Sequence, residues 1–274
     1  LLTAPQNSAQ VDYRSLPYLI RQMAIRYLGA ASLLEIPYVE VSQDSYAGFA
    51  PGQAGVFGRA LAFGEREIQQ AKAIWGGETY LSSTASESRL KQEGIKARIL
   101  HIVAHGTIHD SLPLRSALSL APDEADDGRL EIGELYNLRF DNQLAILSAC
   151  ESGQGNWKAG EGLISLANGF HYGGCPNVVV SRWAVQDAAS QQIISSLLHL
   201  LRQGMRPEEA LREAQLSYLD KTAMPHPYFW SAWMVNGPTQ AIQTNRSIWL
   251  TYSVLALLLL LGGYAFWQEL RDGA

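Results

Sequence analysis

The sequence predicts an α/β fold in which helices cover both faces of a mostly parallel sheet. Three apolar runs of strand length, at 97–106, 142–150 and 177–185, are rich in isoleucine, leucine and valine. Helical patterns at 162–174 and 187–204 follow the second and third of these runs. Strands that are apolar on both sides and alternate with helices are typical of parallel sheets buried between two helical layers.

The elements before the first apolar run are less regular. The stretch GEREIQQAKAIWGG, at 64–77, has a charged first turn, apolar residues at helical spacing and a Gly-Gly stop, so it predicts a helix. Residues 12–34 predict a helix, a short strand near Ile25–Leu28 and the start of another helix. A strand or linker is predicted at 36–42, followed by a buried strand at 46–51 that enters a Pro/Gly loop. A short helix is predicted at 86–94.

The second half of the chain completes the alternation. Residues 129–140 open with strand character after the acidic loop 122–128. An amphipathic helix is predicted at 206–220, where Pro207 lies in the first turn, a position that tolerates proline. A final strand is predicted within 226–237, close to the end of the predicted α/β domain.

Composition limits the classes of function. The 274 residues are 47% hydrophobic and 17% charged, which is typical of a globular core. The net charge is −5 without a basic block, so direct nucleic-acid binding has little electrostatic support. Two cysteines do not form a disulfide framework and are consistent with a reducing compartment. The chain begins at Leu1 without methionine, and we expect a regulatory N-terminal domain or partner protein in addition.

The C-terminal region predicts a transmembrane helix. No charged residue occurs from 247 to 268, a length sufficient to cross a hydrocarbon core of about 30 Å. Trp249 and Trp267 lie near its two ends, where aromatic residues favour the membrane interfaces. Arg246 on the near side weakly favours a cytoplasmic main domain. The alternative is a buried or amphipathic helix, but the run has no polar face.

Two chemically reactive residues follow apolar runs at equivalent places. His105 follows the predicted strand 97–104 and precedes Gly106, and Cys150 follows the strand 143–149. If the strands are adjacent and parallel, both side chains emerge at the same sheet edge. A histidine can activate a cysteine thiol, and the N–H groups of Gly106 and Cys150 could bind an oxyanion. A cysteine at a strand end can equally be a small buried residue.

Several motifs resemble the CHAT domain, a caspase-like module of clan CD cysteine peptidases found in many bacterial multidomain proteins. In order, they are ILHIVAHG, AILSACESGQG, GEGLISLANGFHYGGCPNVVVSRWAVQD and HPYFWSAWMVNG, and YLIRQMAIRYLGAASLL resembles the start of such domains. The resemblance implies a caspase-like α/β fold and a catalytic dyad of His105 and Cys150. It also implies acyl transfer through the Cys150 thiolate onto a protein substrate, for which no metal or other cofactor is needed.

The specificity of such a peptidase is open. Relatives that cleave after basic residues often carry an acid two residues before the cysteine, where this chain has Ser148. Glu161, Trp183 and Asp187 are candidates for substrate binding. Each has a structural alternative, since Asp187 can cap a helix, Glu161 can hold its own loop and Trp183 can lie in the core.

The predicted organisation has four parts: 1–45 is an N-terminal segment of the module or a linker, 46–240 the peptidase domain, 247–268 the membrane helix and 269–274 a short tail. One hypothesis is a membrane-tethered cysteine endopeptidase, by family resemblance in a bacterial stress or defence pathway. The alternative is a catalytically silent, membrane-anchored scaffold. A serine hydrolase based on Ser148 has little support, because no G-x-S-x-G elbow is present.

The other histidines and Cys175 have structural interpretations. His101, His105 and His109 are four residues apart, but in a strand each step is about 13 Å, so a metal site is not expected. His171 and His199 are expected on helix surfaces. Cys175 is expected to be a small structural residue before a strand.

Overall fold

A computed structural model describes residues 11–35, 45–56, 61, 63–109, 111–148, 150–151, 161–183, 185, 187–238 and 241–242. In chain order, its strands are β1 (Tyr46–Ala50), β2 (Glu78–Leu81), β3 (Ile99–Ile102), β4 (His105–Thr107), β5 (Ala117–Ser119), β6 (Arg129–Glu131), β7 (Leu144–Leu147), β8 (Cys150–Glu151), β9 (Asn177–Ser181) and β10 (Trp233–Asn236). The α-helices are α1 (Gly64–Trp75), α2 (Glu87–Gln92), α3 (Ile132–Leu135), α4 (Glu161–Tyr172), α5 (Asp187–Arg202), α6 (Pro207–Lys221) and α7 (Pro227–Trp230).

The central sheet has six strands in the order β10-β9-β7-β3-β1-β2. Five of them run parallel, and β10 pairs antiparallel with β9. Parallel neighbours need a crossover, which α1 provides between β1 and β2 and α4 provides between β7 and β9. The carboxyl ends of β1, β3, β7 and β9 therefore meet at one edge of the sheet, as the sequence predicts.

Helices cover both faces of this sheet, which confirms the predicted layers. On β7, Leu144 and Ile146 contact the cluster that includes α1, α5 and α6. Ala145 and Leu147 contact the cluster that includes α2, α3 and α4. This alternation follows from the two-residue period of a strand, and it explains why the run is apolar throughout rather than at every second position.

A second, four-stranded sheet in the order β6-β5-β4-β8 extends beyond the carboxyl edge of the central one. It corrects the prediction that His105 and Cys150 end the strands 97–104 and 143–149. The central strands β3 and β7 end at Ile102 and Leu147. His105 and Cys150 instead begin the short strands β4 and β8. Apolar runs do not show where a strand changes its partners, so the sequence merges each pair of strands into one.

Residues 11–35 contain no α-helix, in contrast to the helices predicted within 12–34. In this described range the helical structure is limited to the short 3-10 turns Leu19–Arg21 and Ala31–Glu35. Tyr27, inside the short strand that the sequence predicts, forms a parallel bridge to the end of β10 and donates its N–H to a β10 carbonyl at 2.8 Å. Arg212 donates hydrogen bonds to the carbonyl groups of this segment. These contacts use backbone groups that a helix would have paired internally.

Other elements differ in extent. The predicted strand 226–237 contains the short helix α7 before β10, and β2 and β5 have no counterpart in the predicted elements. The strand or linker predicted at 36–42, the membrane helix at 247–268 and the tail at 269–274 lie outside the described residues. Among the residues that the structure does describe, no helix is both long and apolar enough to cross a bilayer.

Candidate active site

His105 opens strand β4 at the carboxyl edge of the central sheet. Its side chain is half-buried and lines a small cleft with Pro51, Leu61, Val103 and Ser119, among others. The chain reaches this point directly from β3, the strand at the centre of the fold, through Val103 and Ala104. His105 therefore lies at the wall of this cleft, and both of its ring nitrogens are buried.

Cys150 lies directly opposite His105 in the second sheet. Strands β4 and β8 are parallel, and their register pairs His105 with Cys150 and Gly106 with Glu151. Neighbouring strands in a sheet are about 4.8 Å apart, so the backbones of the two residues are adjacent. The side chain of Cys150 lies outside the described part of the structure. The register therefore places the backbones of His105 and Cys150 side by side, which supports the prediction that their side chains meet.

Gly106 is buried in the middle of this sheet. It is paired with Leu118 of β5 on one side and with Glu151 of β8 on the other. The backbone of Gly106 is thus held by strands on both sides, next to the paired His105 and Cys150.

The three predicted substrate-binding residues lie at the start or end of elements. Trp183 is half-buried just after β9, and its indole N–H donates to the Tyr228 carbonyl at 2.9 Å. Its ring also stacks on Tyr228, with centroids 6.2 Å apart. Glu161 and Asp187 are the first residues of α4 and α5, where negative charge is favourable, and their side chains lie outside the described structure.

A buried polar network that the sequence did not predict lies beneath this edge. Glu67 of α1 accepts a 2.5 Å hydrogen bond from the Ser148 hydroxyl, and its Oε1 lies 2.9 Å from His101 Nε2. The Tyr46 hydroxyl lies 2.9 Å from His101 Nδ1. All four side chains are buried. The sequence does contain a signal for this network, because the polar residues Glu67 and His101 occupy positions of a helix and a strand where apolar residues are expected.

The network's geometry does not fit a serine hydrolase triad at Ser148. In such a triad the serine and the acid bond to different nitrogens of the histidine. Here Ser148 Oγ and Glu67 Oε1 approach the same atom, His101 Nε2, at 3.4 and 2.9 Å. The hydroxyl of Ser148 is bonded to Glu67 and is only 6% exposed. Ser148 therefore acts as a buried link rather than as a nucleophile.

The remaining histidines and Cys175 take separate structural positions. His109 holds its own loop through Ser116 and the backbone of Leu112. His171 is buried, contrary to the predicted surface position, and bonds to the Cys175 carbonyl at 2.9 Å. Cys175 is fully buried, and burial raises the pKa of its thiol to about 12. It is the structural cysteine that the sequence predicts.

One group of carboxylates could suggest a cation site, but a lysine lies at its centre. Glu87, Asp126 and Glu134 bring their oxygens within 4.8 Å of one another. The Lys91 ammonium bonds to them at 2.7, 2.8 and 2.8 Å. Burial opposes the charge of Lys91, but its hydrogen bonds to the three carboxylates outweigh that effect and raise its pKa. The group is an internal ion-pair cluster.

Comparison with known proteins is consistent with the sequence motifs and with the fold. The profile of the CHAT domain matches residues 2–238. No curated protein matches the sequence. The crystal structure of the Arg specific cysteine proteinase gingipain R (RgpB) is similar, with a TM-score of 0.53, 10% identity and 77% of this chain covered. The complex of Porphyromonas gingivalis RgpB pro- and mature domains is also similar, with a TM-score of 0.50, 10% identity and 77% covered. This chain spans about half of each, 51% and 52%.

Proposed function

The chain belongs to the CHAT domain family, and from this we propose that it is a membrane-tethered cysteine endopeptidase with a dyad of His105 and Cys150. The observation that carries the proposal is the register of β4 and β8, which pairs these two residues across adjacent parallel strands. His105 itself lines a small cleft at this position of the second sheet. The fold shared with gingipain, a cysteine proteinase, supports a peptidase-type function.

The proposed reaction is acyl transfer through a thioester. The Cys150 thiol gives its proton to His105, the resulting thiolate attacks the carbonyl carbon of the scissile bond, and the carbonyl π electron pair moves onto oxygen. The N–H groups of Gly106 and Cys150 donate to this oxyanion. Collapse of the tetrahedral intermediate expels the amine, which takes a proton from His105. His105 then removes a proton from water, whose oxygen attacks the thioester and releases the carboxylate and the thiolate.

Substrate recognition is proposed at the ends of the neighbouring elements. Trp183, anchored through Tyr228 just after β9, offers an aromatic wall at the carboxyl edge of the sheet. Glu161 and Asp187 would place carboxylates at the first turns of α4 and α5. We propose a protein as the substrate, because an extended chain can contact several of these positions at once.

The membrane tether is proposed from the uncharged stretch 247–268, which has tryptophans near both ends. A tether would restrict cleavage to proteins close to the membrane surface, with the peptidase domain on the cytoplasmic side. From the family resemblance we propose that such a substrate belongs to a bacterial stress or defence pathway, where a further domain or partner protein would control the activity.

A peptide-cleavage experiment tests the proposed function. The full chain, purified in mild detergent, is incubated with a mixture of peptides from a digested proteome, and new termini are identified by mass spectrometry. We expect cleavage by the wild type and by the matched variant Cys175→Ala, but not by Cys150→Ala or His105→Ala. Cleavage by Cys150→Ala at the wild-type rate would contradict the dyad. No cleavage by the wild type would favour the scaffold.

A further inference from the structure

We propose that the buried network of Glu67, His101 and Ser148 positions the catalytic dyad. The inference rests on the proposed function, because it assigns these three residues a role in the chemistry of Cys150. In this role they do not touch the substrate. They fix the ends of β3 and β7, from which the chain continues to His105 and Cys150.

The network joins three elements at a single carboxylate oxygen. Glu67 Oε1 lies 2.5 Å from Ser148 Oγ and 2.9 Å from His101 Nε2, so that α1 is bonded to β3 and to the residue that follows β7. The backbone adds a third hydrogen bond, since the Ser148 N–H donates to the Ile102 carbonyl at 2.9 Å. Ser148, the first residue after β7, is thus held through both its side chain and its backbone N–H.

One arrangement of protons accounts for the hydrogen bonds that link Tyr46, His101, Glu67 and Ser148. Burial, and then the nearby Glu67 carboxylate, raise the pKa of the Tyr46 phenol well above its usual value, so this hydroxyl keeps its proton. It can then donate to His101 Nδ1, which leaves the proton on Nε2 for Glu67. The Ser148 hydroxyl provides a second donor to the carboxylate. Directional bonds of this kind fix an orientation that apolar packing would leave adjustable.

The distance to the dyad is short. Cys150 is two residues after Ser148, which corresponds to less than about 7 Å of extended chain. Glu67 and Ser148 also line a cleft that shares Leu61, Gly64 and Val103 with the cleft of His105. A rotation at Ser148 would therefore move Cys150 relative to His105. Displacements of about 1 Å at a reacting atom can cost about 100-fold in rate.

The experiment measures the rate at which iodoacetamide alkylates Cys150 in the full chain, by intact mass, as a function of pH. The variants are Ser148→Ala and Glu67→Gln, which remove a donor and the charged acceptor. Ser86→Ala is the matched control, because Ser86 is also a hydrogen-bonded serine and is also 6% exposed, but it caps the distant helix α2. Near-ultraviolet circular dichroism and thermal unfolding verify that each variant is folded.

We expect Ser148→Ala and Glu67→Gln each to slow alkylation at pH 7 by about 10- to 100-fold and to move the midpoint of the pH profile toward the ordinary thiol value of about 8.5. The double variant should be little slower than Ser148→Ala alone, because both changes act on the same hydrogen bond, which Ser148→Ala removes and Glu67→Gln weakens by taking the charge from the acceptor. Ser148→Thr, which keeps the hydroxyl, should recover part of the rate. With a peptide substrate, kcat should fall with little change in KM, since the network does not bind substrate.

The outcomes separate the two proposals. A wild-type Cys150 that titrates as an ordinary thiol would overturn both the dyad and its positioning. An activated wild-type thiol whose rate and midpoint persist in folded Glu67→Gln or Ser148→Ala would overturn the positioning role alone. An equal loss in Ser86→Ala would also overturn it, because a general loss of stability would then explain the effect. If Ser148→Ala does not fold, Glu67→Gln decides the question.

Discussion

The burial of Cys175 predicts that alkylation of the native protein is selective for the other cysteine. The thiol of Cys175 lies in the core and donates to the Asn177 carbonyl at 3.3 Å. Burial raises its pKa to about 12, against about 8.5 for an ordinary cysteine thiol. At pH 7.5 the thiolate fraction is then about 3,000-fold below that of an ordinary thiol, and the lack of access slows the reaction further.

Intact mass spectrometry provides the assay. The native chain should take up one carbamidomethyl group, on Cys150, and a second only after denaturation, because the sequence contains two cysteines. The Cys175→Ala variant should show the same native time course as the wild type. If Cys175 is labelled in the native state at a rate similar to that of a model thiol, the core beneath β9 opens readily and this reasoning is wrong.

Two further predictions concern acid stability and the C-terminal segment. Burial lowers the pKa of His171, so below about pH 6.5 the unfolded chain binds a proton that the folded chain does not. The free energy of unfolding should therefore fall on acidification by up to about 1.4 kcal/mol per pH unit. Denaturant titrations should show a weaker fall in His171→Asn, which keeps a donor for the Cys175 carbonyl, and an unchanged fall would contradict the assignment. Deletion of 247–274 should release the protein from membranes with its thermal unfolding preserved, and a chain that unfolds on deletion would mean that the segment is part of the core.

The layered fold could be predicted because its signals are local. The run at 142–150 is apolar on both sides of the strand, and in the structure Leu144 and Ala145 contact helices on opposite faces. The helix at 64–77 carries both its start and its stop signals in sequence, and α1 spans Gly64–Trp75. Such patterns depend on burial and capping within a few residues, so a short stretch of sequence is enough to recognise them.

The second sheet and the N-terminal segment depend on distant partners and could not be predicted in the same way. Strand β5 has three residues, Ala117–Ser119, and is stabilised by its pairing with β4 and β6. The flanks of Tyr27 are apolar enough to suggest helices, but this segment uses its backbone to pair with β10, and only the short strand predicted around Tyr27 has a counterpart in the bridge to β10. Strand pairing between residues far apart in the chain overrides local propensity at both places.

The candidate site was predicted in part. The positions of His105 and Cys150 after two central strands indicated that they could meet, and the register of β4 and β8 gives this pairing a backbone basis. The supporting network was missed, because Glu67 and Ser148 are 81 residues apart and their bond depends on how α1 crosses the sheet. A carboxylate on the apolar side of a helix, together with a histidine inside an apolar strand, is the pattern that would have indicated it.

The most direct test of the dyad is the pH dependence of Cys150 alkylation in the wild type and in His105→Ala. The account predicts a wild-type midpoint well below the ordinary thiol pKa of about 8.5, because an adjacent histidine stabilises the thiolate. Removal of the imidazole should return the midpoint to about that value. A wild-type midpoint at or above 8.5 that does not change in His105→Ala would contradict the central claim that these two residues act together.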